Sequence, residues 1–199
     1  MTRTFRQRAD EVILDRAAAL FARQGFGKTS VQDVADAVNL SKAGLLHHYA
    51  SKDALHGAVL AQADAIGQRL LAGVVDLPVG PDRDRQALEV LVDVALAHPG
   101  LVALLLAPLT RGEQEAATSE VDAVGARALE AFGVDPDGPV TERAVRVSGA
   151  LGALAVLTLA AQHGDTTTTW RRHIVATCFD ALGHRRPGTT PPAADQVEA

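Results

Sequence analysis

Apolar residues recur at three- and four-residue intervals along almost the whole chain, and no stretch alternates apolar with polar residues long enough to suggest a strand, so the expected fold class is all-α. Ile13, Ala17, Leu20 and Phe21 share one face of a first helix, with Arg16 and Arg23 off that face and Gly25 placed for a left-handed C-terminal cap. Ser30 followed by Asp33 has the form of a capping box, and Val31, Val34, Ala35 and Val38 supply a short buried face for a second helix. Asn39 suits the left-handed residue of a tight turn, Leu40 plugs the angle, and Ser41 caps a third helix that runs to about Tyr49.

Ser51 then caps a longer connector helix reaching about Leu71, with Asp53 in its first turn. Asp76 to Pro81 reads as a linker, and Leu88, Leu91, Val92 and Ala95 mark an amphipathic helix that His98-Pro99-Gly100 ends. The run Leu101 to Leu106 is strongly apolar up to Pro108. A longer helix through Ala117, Val121, Val124 and Phe132 is closed by Gly133 before the loop Asp135 to Pro139. Two apolar helices, about Val140 to Gln162 and Thr168 to Leu182, are expected to pair, with Trp170, Ile174, Cys178 and Ala181 on one face of the second. From His184 onward Arg, Pro, Gly, Thr and Ala predominate, the composition of a mobile tail. The expected division is therefore a three-helix unit at 1–52, a larger helical unit at 53–183 and a tail at 184–199.

Composition changes the picture in three ways. A chain of 199 residues can bury a real core without staples, so a disulfide scaffold is excluded, and Cys178 reads as a small core residue. Only 4% of residues are aromatic against 47% hydrophobic, which predicts an interior of Ala, Leu and Val. Three arginines at the amino terminus run into acidic residues, with no apolar signal segment, and the uncharged stretch Val147 to Gln162 is shorter than a bilayer span; the expectation is a cytoplasmic protein with no membrane partner.

Charge is opposed between the two parts of the chain. Up to Lys52 there are eight basic and five acidic residues, net +3, against eleven and nineteen beyond it, net −8. Lys28, Lys42 and Lys52, all of the lysines, fall in the basic part, as expected of a module that meets a polyanion.

The segment Thr29 to Leu55 has the spacing of a helix-turn-helix whose second helix enters the DNA major groove. Hydroxyls at Thr29, Ser30 and Ser41, N–H groups at the helix starts and the cations of Lys42 and Lys52 are the groups that grip phosphates. Ala43 and Gly44 are small enough for a close backbone approach, which leaves His47 and its neighbours to touch base edges.

Ile13-Leu14, Ala17, Leu20-Phe21, Gly25-Phe26, Thr29-Ser30-Val31, Val34-Ala35, Leu40-Ser41-Lys42, Leu45, His48-Tyr49, Ser51-Lys52 and Leu55 stand in the order and spacing of one signature. In these residues, about the first quarter of the chain, the sequence resembles the TetR family of bacterial transcriptional regulators. The resemblance implies phosphate contacts from Thr29 and Ser30, recognition-helix contacts from Lys42, Ala43, Gly44 and His47, and contacts to the flanking backbone from His48, Tyr49 and Lys52. It further implies a homodimer joined through the last two helices, with Gly149, Gly152 and Ala153 allowing close approach, a palindromic double-stranded operator, and a carboxy-terminal domain that takes a small-molecule effector. Two positions depart from the family pattern: Asn39 replaces the turn glycine, and Leu46 replaces a mid-helix tyrosine, shifting load onto Tyr49 or His47.

Other readings are weaker. His47 and His48 point about 100° apart on a helix and have no ligand partner at the next turn, so no metal site is expected. No spacing assembles a catalytic set and no cofactor motif is present, so an enzyme is not expected. The Leu101 to Leu106 run is either ordinary core or the wall of an effector cavity, in which His98, Arg111, Gln114 and His163 are the candidate polar groups. Arg3, Arg6 and Arg8 are either a flexible arm reaching DNA or a solvated basic end. The expected function is a ligand-responsive repressor; the alternative is a helical small-molecule-binding protein of the same fold that does not regulate DNA.

Overall fold

The computed structural model describes residues 2–111, 119–162 and 167–184. These residues form nine helices and no strand: α1 (Thr2–Gln24), α2 (Val31–Ala37), α3 (Lys42–His48), α4 (Lys52–Val74), α5 (Pro81–Ala97), α6 (Pro99–Arg111), α7 (Ser119–Ala131), α8 (Glu142–Ala161) and α9 (Thr167–Ala181). The local signals act as expected. Gly25 takes φ +86° to end α1, Asn39 takes φ +55° in the turn between α2 and α3, and Ser30, Ser41 and Ser51 each accept an N–H of the helix they cap.

Two large cores organise the chain. The amino-terminal one gathers Ile13, Ala17 and Phe21 of α1, Val34 and Ala35 of α2, Leu45 of α3, and Leu55 and Val59 of α4. The carboxy-terminal one joins Leu88 and Val92 of α5 to Phe132, to Val147 and Leu154 of α8, and to Ile174 and Cys178 of α9. Burial pushes the Cys178 thiol up to about 11, so it behaves as an apolar residue.

Three places at the element ends add to the sequence reading. α4 begins at Lys52, the expected boundary, and gives Leu55 and Val59 to the amino-terminal core, which Leu104 of α6 also enters. α1 runs from Thr2, so the backbone at Arg3, Arg6 and Arg8 is helical. His184 is not tail: its Nε2 stands 2.7 Å from Oδ2 of the buried Asp84, and its ring stacks on Phe179. The remainder of the expected tail, 185–199, lies outside the described residues.

α8 lies within the expected range of about 140 to 162. The uncharged stretch begins at Val147, but Thr141 caps a helix starting at Glu142, and its 20 residues are long and apolar enough to cross a membrane by length and composition. One face of it, Val147, Ala150, Leu154, Ala155, Thr158 and Ala161, is buried in the protein.

The chain turns by 103° at His98, sending α6 away from α5 and across α1. α6 thereby touches both large cores, Val102 packing in the carboxy-terminal one and Leu104 in the amino-terminal one.

Candidate nucleic-acid interface

α2 and α3 are seven residues each, too short to persist alone, and are held by what they bury. Val34, Ala35 and Leu45 form the shared inner face, and Leu40 N–H donates to Ala35 O at 2.9 Å across the turn. With about 100° between successive residues, burying Leu45 turns Ala43 and His47 to the opposite side of α3, with Leu46 on its flank and Lys42 at its solvent-facing first turn. Lys42, Ala43 and His47 are exposed there, and Leu46 is half-buried.

The helix starts are preorganised. Ser30 Oγ accepts the Asp33 N–H at 3.1 Å and Ser30 N–H donates to Asp33 Oδ2 at 2.7 Å. Those bonds from Ser30 hold the Asp33 carboxyl below its ordinary range. Ser41 Oγ accepts the Gly44 N–H at 3.0 Å, and a Cβ at Gly44 would stand 3.2 Å from that oxygen. The Ser30, Asp33 and Gly44 N–H groups are therefore already engaged, and the exposed Ser30 and Ser41 present their hydroxyls at the surface.

One expected phosphate contact is corrected, and another has a partner within the protein. Thr29 is 1% exposed, and its hydroxyl donates to Gly25 O at 2.8 Å, tying the α1–α2 turn together from inside. Lys52 is half-buried: Nζ donates to Phe26 O at 2.8 Å and lies 4.3 Å from the centre of the Phe26 ring. Phe26 in turn packs against Phe21 and His56. Sequence spacing places both residues beside the helix-turn-helix but carries no information on which way they point. Lys52→Met is expected to lower unfolding free energy in urea by about 1 kcal/mol; unchanged stability would return Lys52 to the outer surface.

His48 and Tyr49 lie at the far end of α3. His48 Nδ1 is 3.2 Å from Asp10 Oδ1 of α1. Tyr49 is half-buried, and burial, reinforced by Asp10, pushes its hydroxyl up to about 12, leaving it a neutral donor. Asp10 was not marked by any sequence motif; its role appears only when α1 passes α3. Lys28, exposed two residues before Ser30, is a further cation on this side of the molecule.

Of the effector candidates, only the side chain of His98 is among the described residues. His98 caps the end of α5, half-buried, with its N–H on Val94 O. Arg111 ends α6, its side chain lying outside the described residues, as do Gln114 and His163. Among the described residues no group of three or more His, Cys, Asp or Glu is placed to hold a metal.

A three-helix unit with a short, outward-facing third helix, followed by a larger helical unit, defines a helix-turn-helix protein. Residues 13–59 match the profile of bacterial regulatory proteins of the tetR family. The HTH-type transcriptional repressor KstR2 of Rhodococcus jostii is 42% identical over 48 residues, 24% of each chain. KstR2 of Mycobacterium tuberculosis is 44% identical over 41 residues, covering 21% of this chain and 20% of that protein. These matches span about a quarter or less of the length of the curated relatives. The fold extends further. The fatty acid degradation regulator FadR from Bacillus halodurans superposes with TM-score 0.54 at 12% identity, over 87% of this chain and 98% of that one. A TetR-like transcriptional regulator from Rhodococcus sp. RHA1 gives TM-score 0.52 at 20% identity, over 93% and 100%.

Proposed function

We propose that this chain is a one-component transcriptional regulator, a repressor that binds a palindromic double-stranded operator as a homodimer and answers to a small molecule bound by its carboxy-terminal domain. The observation that carries this reading is the outward face of α3, where Lys42, Ala43 and His47 are exposed on a helix anchored by Leu45, within a segment similar to KstR2, a transcriptional repressor by name. Lys42 supplies charge to the phosphates and His47 reads base edges.

α8 supports the dimer. Val145, Gly149, Gly152 and Val156 recur on its side away from the core; Val145 and Val156 are each 60% exposed, and neither glycine has an atom near its Cβ position. A second copy of the chain covering this stripe accounts for an apolar helix left half open, and it sets two recognition helices about 34 Å apart or a small multiple. Such a regulator works in the cytoplasm without a membrane partner, cofactor or catalytic step. A ligand lowers operator affinity a hundredfold only by favouring the other conformation by about 2.7 kcal/mol.

The test is recovery of host genomic fragments at fixed salt and a search for a shared palindrome. On that duplex, Lys42→Ala is expected to weaken binding to cognate and random DNA alike and to reduce the salt slope by about one, whereas His47→Ala acts on the cognate site. Random DNA only, or none, favours the ligand-binding protein without DNA regulation.

A further inference from the structure

α6 has its amino terminus capped from another part of the fold. The Leu101 N–H donates to Asp15 Oδ1 at 3.1 Å, 86 residues earlier on α1. Burial holds the Asp15 carboxyl above its ordinary range, while the Leu101 and Gly100 amides, His98 and Arg16 pull it back down. The backbones meet at the same point: a Cβ added at Gly100 would overlap the Asp15 carbonyl oxygen and come within 3.0 Å of Ala19 N. One turn along, Leu104 enters the core that also holds Leu45 of α3. The start of α6 thus has one seat, set by a side-chain cap, a glycine gap and an apolar plug, and all three lie on or beside α1.

We propose that Asp15 is a positioning residue for DNA binding: by capping α6 it holds α1, and with α1 the α3 face, in register with the carboxy-terminal domain. The proposal rests on the function proposed above and concerns regulation of that same surface. A shift of α6 has to break the Asp15 cap or carry α1 with it, because the Gly100 seat leaves no slack between the two backbones.

The test uses the full-length chain as Asp15→Asn, Asp15→Ala and Gly100→Ala, with far-UV circular dichroism and Trp170 fluorescence as folding controls. Asn keeps an acceptor for the Leu101 N–H; Ala does not. On the recovered palindrome, or on sheared host DNA if none emerges, Asp15→Ala and Gly100→Ala are expected to lose affinity by about two- to thirtyfold. Asp15→Asn is expected to stay within about twofold of the parent. The salt slope is expected to be unchanged throughout, since no phosphate contact is removed. Hydrogen exchange is expected to quicken in the first turn of α6 and in α1 to α3 of both weakened variants, and to be unchanged in α8. Exchange confined to α6, or Asp15→Ala binding like the parent, overturns the proposal. If the parent binds no DNA the function proposed above fails, and the exchange pattern still decides whether Asp15 holds the two parts in register. If the Ala variants do not fold, exchange in Asp15→Asn decides: quickening in α1 to α3 despite the retained acceptor overturns it, and parental protection supports it.

Discussion

Replacing Arg143 by alanine is expected to lower the free energy of unfolding by about 3–5 kcal/mol, toward the lower figure because His184 remains beside Asp84. Asp84 is fully buried in the first turns of α5, and its carboxylate accepts from Arg143 Nη1 at 3.2 Å and Nη2 at 2.8 Å, with His184 Nε2 on Oδ2 at 2.7 Å. Arg143 Nε also donates to Phe132 O at 3.1 Å, beyond the end of α7, so one guanidinium ties α5, α7 and α8 together. Arg83 adds a parallel tie from α5 to the Ala131 and Glu130 carbonyls at 2.7 and 2.9 Å. Truncating Arg143 leaves a buried carboxylate short of its main counter-charge, which costs more than the pair contributes when intact. The measurement is a urea midpoint followed through Trp170. A change under about 1 kcal/mol would mean that water replaces the guanidinium freely.

Leu45→Ala is the second large effect, about 2–5 kcal/mol in stability, because its side chain is 1% exposed in the amino-terminal core. Its consequence is wider than that figure. α3 has seven residues and too little length to persist on local hydrogen bonds, so loss of its only fully buried anchor releases the whole outward face. Leu45→Ala is therefore expected to abolish operator binding together with a lower urea midpoint and faster hydrogen exchange in α3. Lys42→Ala is expected to weaken binding with stability unchanged within about 0.5 kcal/mol. Equal midpoints for the two variants would mean that α3 is held by something other than Leu45.

The family-profile match and the proposed dimer bear on different parts of the chain. The amino-terminal match covers residues 13–59, and the similarity beyond it is of fold. The exposed stripe on α8 is the chain's own evidence for a second copy: small residues at Gly149 and Gly152 flanked by Val145 and Val156 leave a shallow apolar face that a like helix fits closely.

Whatever depends on neighbours along the chain was legible from the sequence. The caps Ser30, Ser41 and Ser51, the left-handed Gly25 and Asn39, the all-helical periodicity and the helix-turn-helix spacing all follow from contacts within a few residues, where propensity and hydrogen-bond chemistry act directly. Direction and long-range pairing were not. Thr29 carries the right chemistry for phosphate but points inward, and Lys52 lies back along the α1–α2 turn, because that turn offers them the Gly25 and Phe26 carbonyls at 2.8 Å each. Asp15 capping α6, Asp10 beside His48 and Asp84 between Arg143 and His184 join residues separated by 38 to 100 positions. Periodicity shows which face of a helix is buried, but not which helix will cover it; that choice is made when the bend at His98 sends α6 across α1, and a buried carboxylate is tolerable only where that packing delivers a donor to it.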